Sequence, residues 1–170
     1  MGMKLALENA SGSVFELSDQ MIAEGLEASR QSPRLRMLLP IHRRQEDLVQ
    51  RMINFMQPGT YLQPHLHPRD SASETMVVFR GALGFLQFSS EGEVMATHRL
   101  GPGGLIDLVP GIWHSVVVLA PDTVIGEFKR GPYTSDDKTF AEWAPAEEDS
   151  EARRYLRFME SQFETEKEED

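Results

Sequence analysis

The 170-residue chain contains no cysteine, which excludes a disulfide framework and a thiolate metal site, so any bound metal must be held by His and carboxylates. No apolar run approaches the roughly 20 residues of a membrane-spanning helix, and the start, MGMKLALENASGS, lacks the long apolar core of a secretory signal. A cytoplasmic protein with no membrane partner is the expectation. Clustered Lys and Arg are also missing: 27 acidic residues outnumber 17 basic ones, for a net charge of −10, whereas neutralising phosphates takes a basic patch. No nucleic-acid partner is therefore expected. The remainder, 40% apolar and 26% charged side chains with 13 Gly and 10 Pro, is the make-up of one globular domain.

Much of the acidity is an appendage. From Ala146 onward there are ten acidic and four basic residues, against 17 and 13 in the first 145. In that tail Ser150 can cap a helix whose Ala152, Leu156, Met159 and Phe163 form one apolar stripe for docking, and the final ETEKEED has nothing to bury and should fray. At the other end, LSDQMIAEGLEASR predicts a helix capped by Ser18, with Met21, Ile22 and Leu26 on its inner face, ending before Ser32-Pro33. A second segment, RRQEDLVQRMINF, puts Leu48, Arg51, Met52 and Phe55 on one helical face, but its β-branched residues leave helix and strand both open.

From Gly59 the pattern changes to short period-two stretches punctuated by Gly and Pro, which predicts strands near 60–67, 74–80, 84–88, 94–100, 105–109, 114–119 and 124–129. Seven strands imply a sandwich or small barrel. The expected organisation is an N-terminal helical extension (1–58) packed on a mainly β barrel (59–145), followed by an acidic C-terminal helix and tail (146–170), with Trp143 and Phe140 pinning the chain after the last strand.

The chemistry is concentrated in GTYLQPHLH. Alternation puts Tyr61, Gln63, His65 and His67 on one strand face, so two imidazoles about 7 Å apart along the backbone can converge on one ion. Glu74 opens a later strand and His114 another, after the turn Pro110-Gly111-Ile112-Trp113. Three neutral imidazoles and a carboxylate suit one divalent Fe, Mn, Ni or Zn ion. Glu127, in VIGEFKRG, is the substitute fourth ligand, or else a carboxylate orienting an imidazole from behind or pairing with Lys129. His98 reads as a packing or surface residue.

These residues resemble the two motifs of the cupin superfamily. Gly59, His65-Leu66-His67, Glu74 and Gly81 match the first, with six residues rather than three or four before the Glu; Gly104 and Pro110-Gly111-Ile112-Trp113-His114 match the second, with the Pro one residue closer and Val118 where an Asn is usual. The segments SPRLRMLLPIH, QRMINFMQPGTYLQPHLH, EFKRGPY and DKTFAEWAPAEED are similar to the WbuC family of bacterial cupin-fold metalloproteins associated with O-antigen and lipopolysaccharide gene clusters. What that resemblance implies is a cupin double-stranded β-helix, a jelly-roll-like barrel with an N-terminal helical extension, holding one metal ion. It implies no particular reaction.

The functional expectation is therefore a metal centre acting on a small polar compound, with a sugar or nucleotide-sugar as the leading class by resemblance, as an isomerase, epimerase, lyase or dioxygenase. Tyr61, Glu127 and His42 are the acid–base candidates. Arg34, Arg51 and Lys129 are candidates for meeting a substrate phosphate, and Tyr61, Trp113 and Tyr133 for an apolar wall. A non-catalytic metal-dependent binding or sensor module is the alternative, and a scaffold with a vestigial site the third. Pairing of sheet edges across a two-fold axis makes a homodimer the expected assembly.

Overall fold

A computed structural model describes residues 6–68, 70 and 72–164. After α1 (Asp19–Gln31) come β1 (Arg36–Pro40), β2 (Val49–Met56), β3 (His65–Leu66), β4 (Glu74–Arg80), β5 (Leu83–Phe88), β6 (Val94–Leu100), β7 (Leu105–Leu108), β8 (Trp113–Val118) and β9 (Thr123–Arg130). A 3-10 turn (Ser135–Asp137), β10 (Thr139–Phe140) and α2 (Ala152–Ser161) complete the order. One sheet runs β1-β2-β9-β4-β7 and the other β10-β3-β8-β5-β6, all pairs antiparallel. The chain passes back and forth between the sheets from β2 to β9, and the resulting orders 2-9-4-7 and 3-8-5-6 are those of a jelly roll. The expected mainly β, jelly-roll-like architecture with helices at either end is the one found.

Each sheet has an inner and an outer face, and a helix covers each outer face. Between the sheets lie Met56, Met76, Val78, Phe85, Val116 and Ile125. Leu26 of α1 packs with Leu39, Ile53 and Phe55 outside the first sheet, while Ala152, Leu156 and Met159 of α2 pack with Leu86, Phe88 and Val117 outside the second. Phe163 joins that second cluster, so the predicted apolar stripe of α2 docks as a unit.

Several expectations change in detail. The ambiguous segment 43–55 supplies β2, a strand buried on both faces by the sandwich and by α1, which erases the period-two alternation that would have marked it. The supposed helical extension 1–58 therefore contains one helix and two strands of the sandwich, and the proposed boundary at 58/59 falls inside the jelly roll. Of the expected inner face of α1, Leu26 is buried and Ile22 packs against the same cluster, while Met21 is exposed and Gly25 and Ser29 are buried as well. Gly25 is required there because a β-carbon would come within 2.3 Å of the Phe55 ring. Of 60–67 only His65–Leu66 is regular strand. Ser18 caps α1 as predicted, through Met21 N–H, but the first turn of α2 is held by Asp149, whose Oδ1 accepts from Glu151 N–H, rather than by Ser150. Trp143 does pin its segment, lying 5.2 Å from Phe88 and 6.0 Å from Trp113, whereas Phe140 is exposed. The tail predicted to fray lies, beyond Glu164, outside the described residues.

Candidate metal centre

Three strands carry an inward stripe that changes from apolar to polar along its length. On β8 it reads Val118, Val116, His114; on β4 it reads Val78, Met76, Glu74; on β9 it reads Ile125, Glu127, Lys129. The register aligns the last two, pairing Val78 with Ile125, Met76 with Glu127 and Glu74 with Lys129. One end of the sandwich is thus a dry core and the other a cavity of about 600 Å³ lined by both polar and apolar side chains.

At the junction the sheets meet through four side chains. His65 on β3 sits directly opposite His114 on β8, with ring centroids 4.5 Å apart. His67 lies two residues further along, its ring 5.3 Å from that of His65. Glu74 reaches them from the opposite sheet. The four offer ligand atoms within 4.8 Å of one another, and none of the residues is more than 5% exposed. The turn before β8 fixes the geometry: Gly111, at φ +80°, takes the left-handed conformation that glycine favours, and its N–H donates to the His67 carbonyl at 3.0 Å. The stretch that delivers His114 is thereby tied to the one that delivers His67.

The protonation of the imidazoles follows from their partners. Nδ1 of His65 faces the Gln63 carbonyl at 3.0 Å, Nδ1 of His67 the Asp137 carbonyl at 2.7 Å, and Nδ1 of His114 the Ile112 carbonyl at 2.8 Å. A carbonyl oxygen only accepts, so each Nδ1 carries a proton and Nε2 is the ring nitrogen turned inward as the ligand atom. Burial, with Lys138 and His114 adding to it, keeps the His65 pKa well below its ordinary value, and His65 Nε2 is buried without a hydrogen-bond partner. Nε2 of His67 is 2.8 Å and Nε2 of His114 3.2 Å from one oxygen of Glu74.

Burial opposes the charge of Glu74, yet His114, His67, the Glu127 side chain and Lys129 hold its pKa well below the usual carboxylate range. Each of these two Nε2 atoms thus faces the carboxylate, and a cation placed among them would take the Nε2 lone pairs and the Glu74 oxygen as ligands in place of these contacts. Ligand bonds of about 2.0–2.2 Å fit atoms gathered this closely. The donor set therefore fits a divalent ion.

The remaining candidates separate. Glu127 lines the cavity, accepting from Asn54 Nδ2 at 3.0 Å and pairing with Lys129 at 2.9 Å. Of the expected alternatives it meets the ion pair with Lys129, and it lies beside Glu74. Burial works against the Lys129 charge, but Glu127 and Glu74 outweigh it and raise its pKa. His42 forms part of the cavity wall, with Nδ1 2.9 Å from the Arg51 carbonyl. Arg34 lines the cavity but is paired with Glu147, which Arg36 also meets at 2.7 Å.

Two candidates are corrected. Tyr61 does not share the histidine face, because the chain before His65 is irregular; its hydroxyl donates to the Pro145 carbonyl at 2.7 Å and its ring packs with α2. Gln63 likewise turns to the Ala141 and Ala144 carbonyls. Arg51 alternates with the cavity-lining Gln50 and Met52 and so occupies the opposite face of β2. Of the aromatic wall, Tyr133 lines the cavity, while Trp113 packs toward Trp143. Sequence reasoning missed Asn54 and Lys138, both of which line the cavity. Asn54 was findable once 49–56 was read as a strand, two residues from Met52.

A protein-family profile described as a domain of unknown function (DUF6016) matches residues 17–100. No curated protein matches. Among solved structures the chain is similar to KdgF from Halomonas sp. (19% identity over 62% of this chain and 87% of that one, TM-score 0.49). It is also similar to the DMSP lyase DddQ from Ruegeria pomeroyi DSS-3 (21% identity, 59% and 47% covered, TM-score 0.47) and to an oxalate decarboxylase from Lactobacillus farciminis (17%, 55% and 27%, TM-score 0.46). The chain spans about half of the DddQ chain and about a quarter of the decarboxylase chain.

Proposed function

We propose that this protein is a metal-dependent cupin that holds one divalent first-row ion, Fe, Mn, Ni or Zn, through His65, His67, Glu74 and His114, and acts on a small polar compound in the adjoining cavity. The observation that carries the reading is the convergence of three carbonyl-oriented imidazoles, one with an orphaned buried Nε2, on a buried carboxylate. An ion bound there would supply Lewis acidity or a water of lowered pKa. The chain supplies the rest. His67 sits behind the site, while His65, Glu74 and His114 face the cavity, so a ligand approaches from that side. Met52, Met56 and Met76 form a water-excluding wall, and Glu127 is the carboxylate placed to hold or move a proton on that ligand.

The resemblance to the WbuC family supports a finer reading: a sugar or nucleotide-sugar of bacterial surface polysaccharide biosynthesis as the compound, isomerisation, epimerisation or dioxygenation as the reaction, a cytoplasmic location and a homodimer. Sedimentation at micromolar concentration should then give a species of twice 19.2 kDa, and a monomer alone contradicts the dimer.

One observation favours a second reading, a non-catalytic binding or sensor module: Glu127 is already engaged by Lys129 and Asn54. Glu127→Gln distinguishes the two. On the enzyme reading it keeps its metal and loses turnover of sugar acids or nucleotide-sugars by about 100-fold, the lower end of a general acid–base contribution. Ligand binding without turnover, by parent and variant alike, supports the binding module and contradicts the enzyme.

A further inference from the structure

The cations around the cavity are not equivalent. Arg34 and Arg36 share Glu147, and Lys129 pairs with Glu127. Lys138 also lines the cavity and is half-buried, yet among the described residues its ammonium has neither an ion-pair nor a hydrogen-bond partner. Burial, then Lys129, pushes its pKa below the ordinary lysine value. Glu127 and Glu74 oppose that shift through space but neither bonds to it, so the Lys138 ammonium is a cation at the cavity wall that is not committed to a protein carboxylate and is available to the charge of a ligand.

Its position is built. Thr134 and Asp137 close a tight turn on each other: Thr134 N–H donates to Asp137 Oδ2 at 2.7 Å and the Thr134 hydroxyl to Oδ1 at 3.1 Å. The Asp137 carbonyl then orients His67, and the next residue is Lys138, leading into β10, whose Phe140 pairs with His65. The turn that sets one imidazole and the strand that flanks another thus place Lys138 between them in sequence.

We propose that Lys138 is the receptor for a carboxylate of the ligand, which makes a small organic carboxylate the class of compound this cavity takes. The proposal rests on the metal reading and deepens it. A divalent ion offset by Glu74 leaves a positive excess at the site, and Lys138 adds a second; a dicarboxylate neutralises both and a monocarboxylate one, whereas a neutral polyol neutralises neither. A phosphate is the poorer fit. The bidentate forks that phosphate recognition draws on, Arg34 and Arg36, are committed to Glu147, and Lys138 is a single point charge.

The test is calorimetric titration of zinc-loaded, desalted protein with malonate, its neutral analogue malonamide and inorganic phosphate, using the parent, Lys138→Met and Lys138→Arg. Malonate should bind the parent best, bind Lys138→Met at least about tenfold more weakly as befits loss of a charged hydrogen bond, and recover in Lys138→Arg. Equal malonate affinity in parent and Lys138→Met overturns the proposal. So does absence of malonate binding to the zinc-containing parent, or tighter binding of phosphate or malonamide. Zinc content is read separately: a parent that keeps no zinc counts against the metal centre, whereas unchanged malonate affinity counts against Lys138 alone.

Discussion

What sets His65, His67 and His114 apart from the equally buried His42, whose Nδ1 also meets a backbone carbonyl, is convergence on one buried carboxylate. The carbonyls of Gln63, Ile112 and Asp137 each accept from the Nδ1 of one ring, and that turns the three Nε2 atoms inward, two of them against Glu74. The cluster itself was legible in the sequence, since His-x-His on a strand and a His after Pro-Gly need only local alternation and a turn. Lys138 was not legible, because its role depends on a turn 70 residues downstream of His67 folding back upon it. Tyr61 was misread for a related reason: alternation was extrapolated through a stretch that is not strand. Its hydroxyl serves the Pro145 carbonyl, so Tyr61→Phe should lower stability by about 1 kcal/mol, a few degrees in Tm, and leave metal content unchanged. Thermal denaturation with elemental analysis checks this, and loss of metal with unaltered Tm would return Tyr61 to the site.

At the level of elements, the same sandwich explains which strands announced themselves. Strand β6 keeps one face in solvent, alternates, and lies where the pattern put it; β4 alternates toward the cavity as well. Strand β2 is covered on both sides and reads equally as helix. The cover is α1, and its closeness to β2 depends on Gly25 lying against the Phe55 ring. Two effects compete in Gly25→Ala. Helix propensity favours alanine by about 1 kcal/mol, but a β-carbon 2.3 Å from a fully buried ring forces α1 or Phe55 to move, at about 1–3 kcal/mol. We expect net destabilisation in urea unfolding; a more stable variant would mean that the α1–β2 packing yields freely.

Across the whole molecule, polarity is sorted along the sandwich. Leu83, Val118 and Val78 close one end, the cavity opens at the other, and the ligands from both sheets meet at the boundary, where burial strengthens every electrostatic contact. The two helices protect the outer faces without entering the cavity lining. A site assembled from two sheets requires the complete jelly roll, so metal binding and folding should be linked. The most direct measurement is elemental analysis of untagged protein after exposure to Fe, Mn, Ni and Zn salts and exhaustive desalting, with His114→Ala as the comparison. The account predicts about one divalent ion per chain in the parent and a much smaller content in a folded His114→Ala. A folded parent that retains none of the four metals, or an equal content in both proteins, would contradict it.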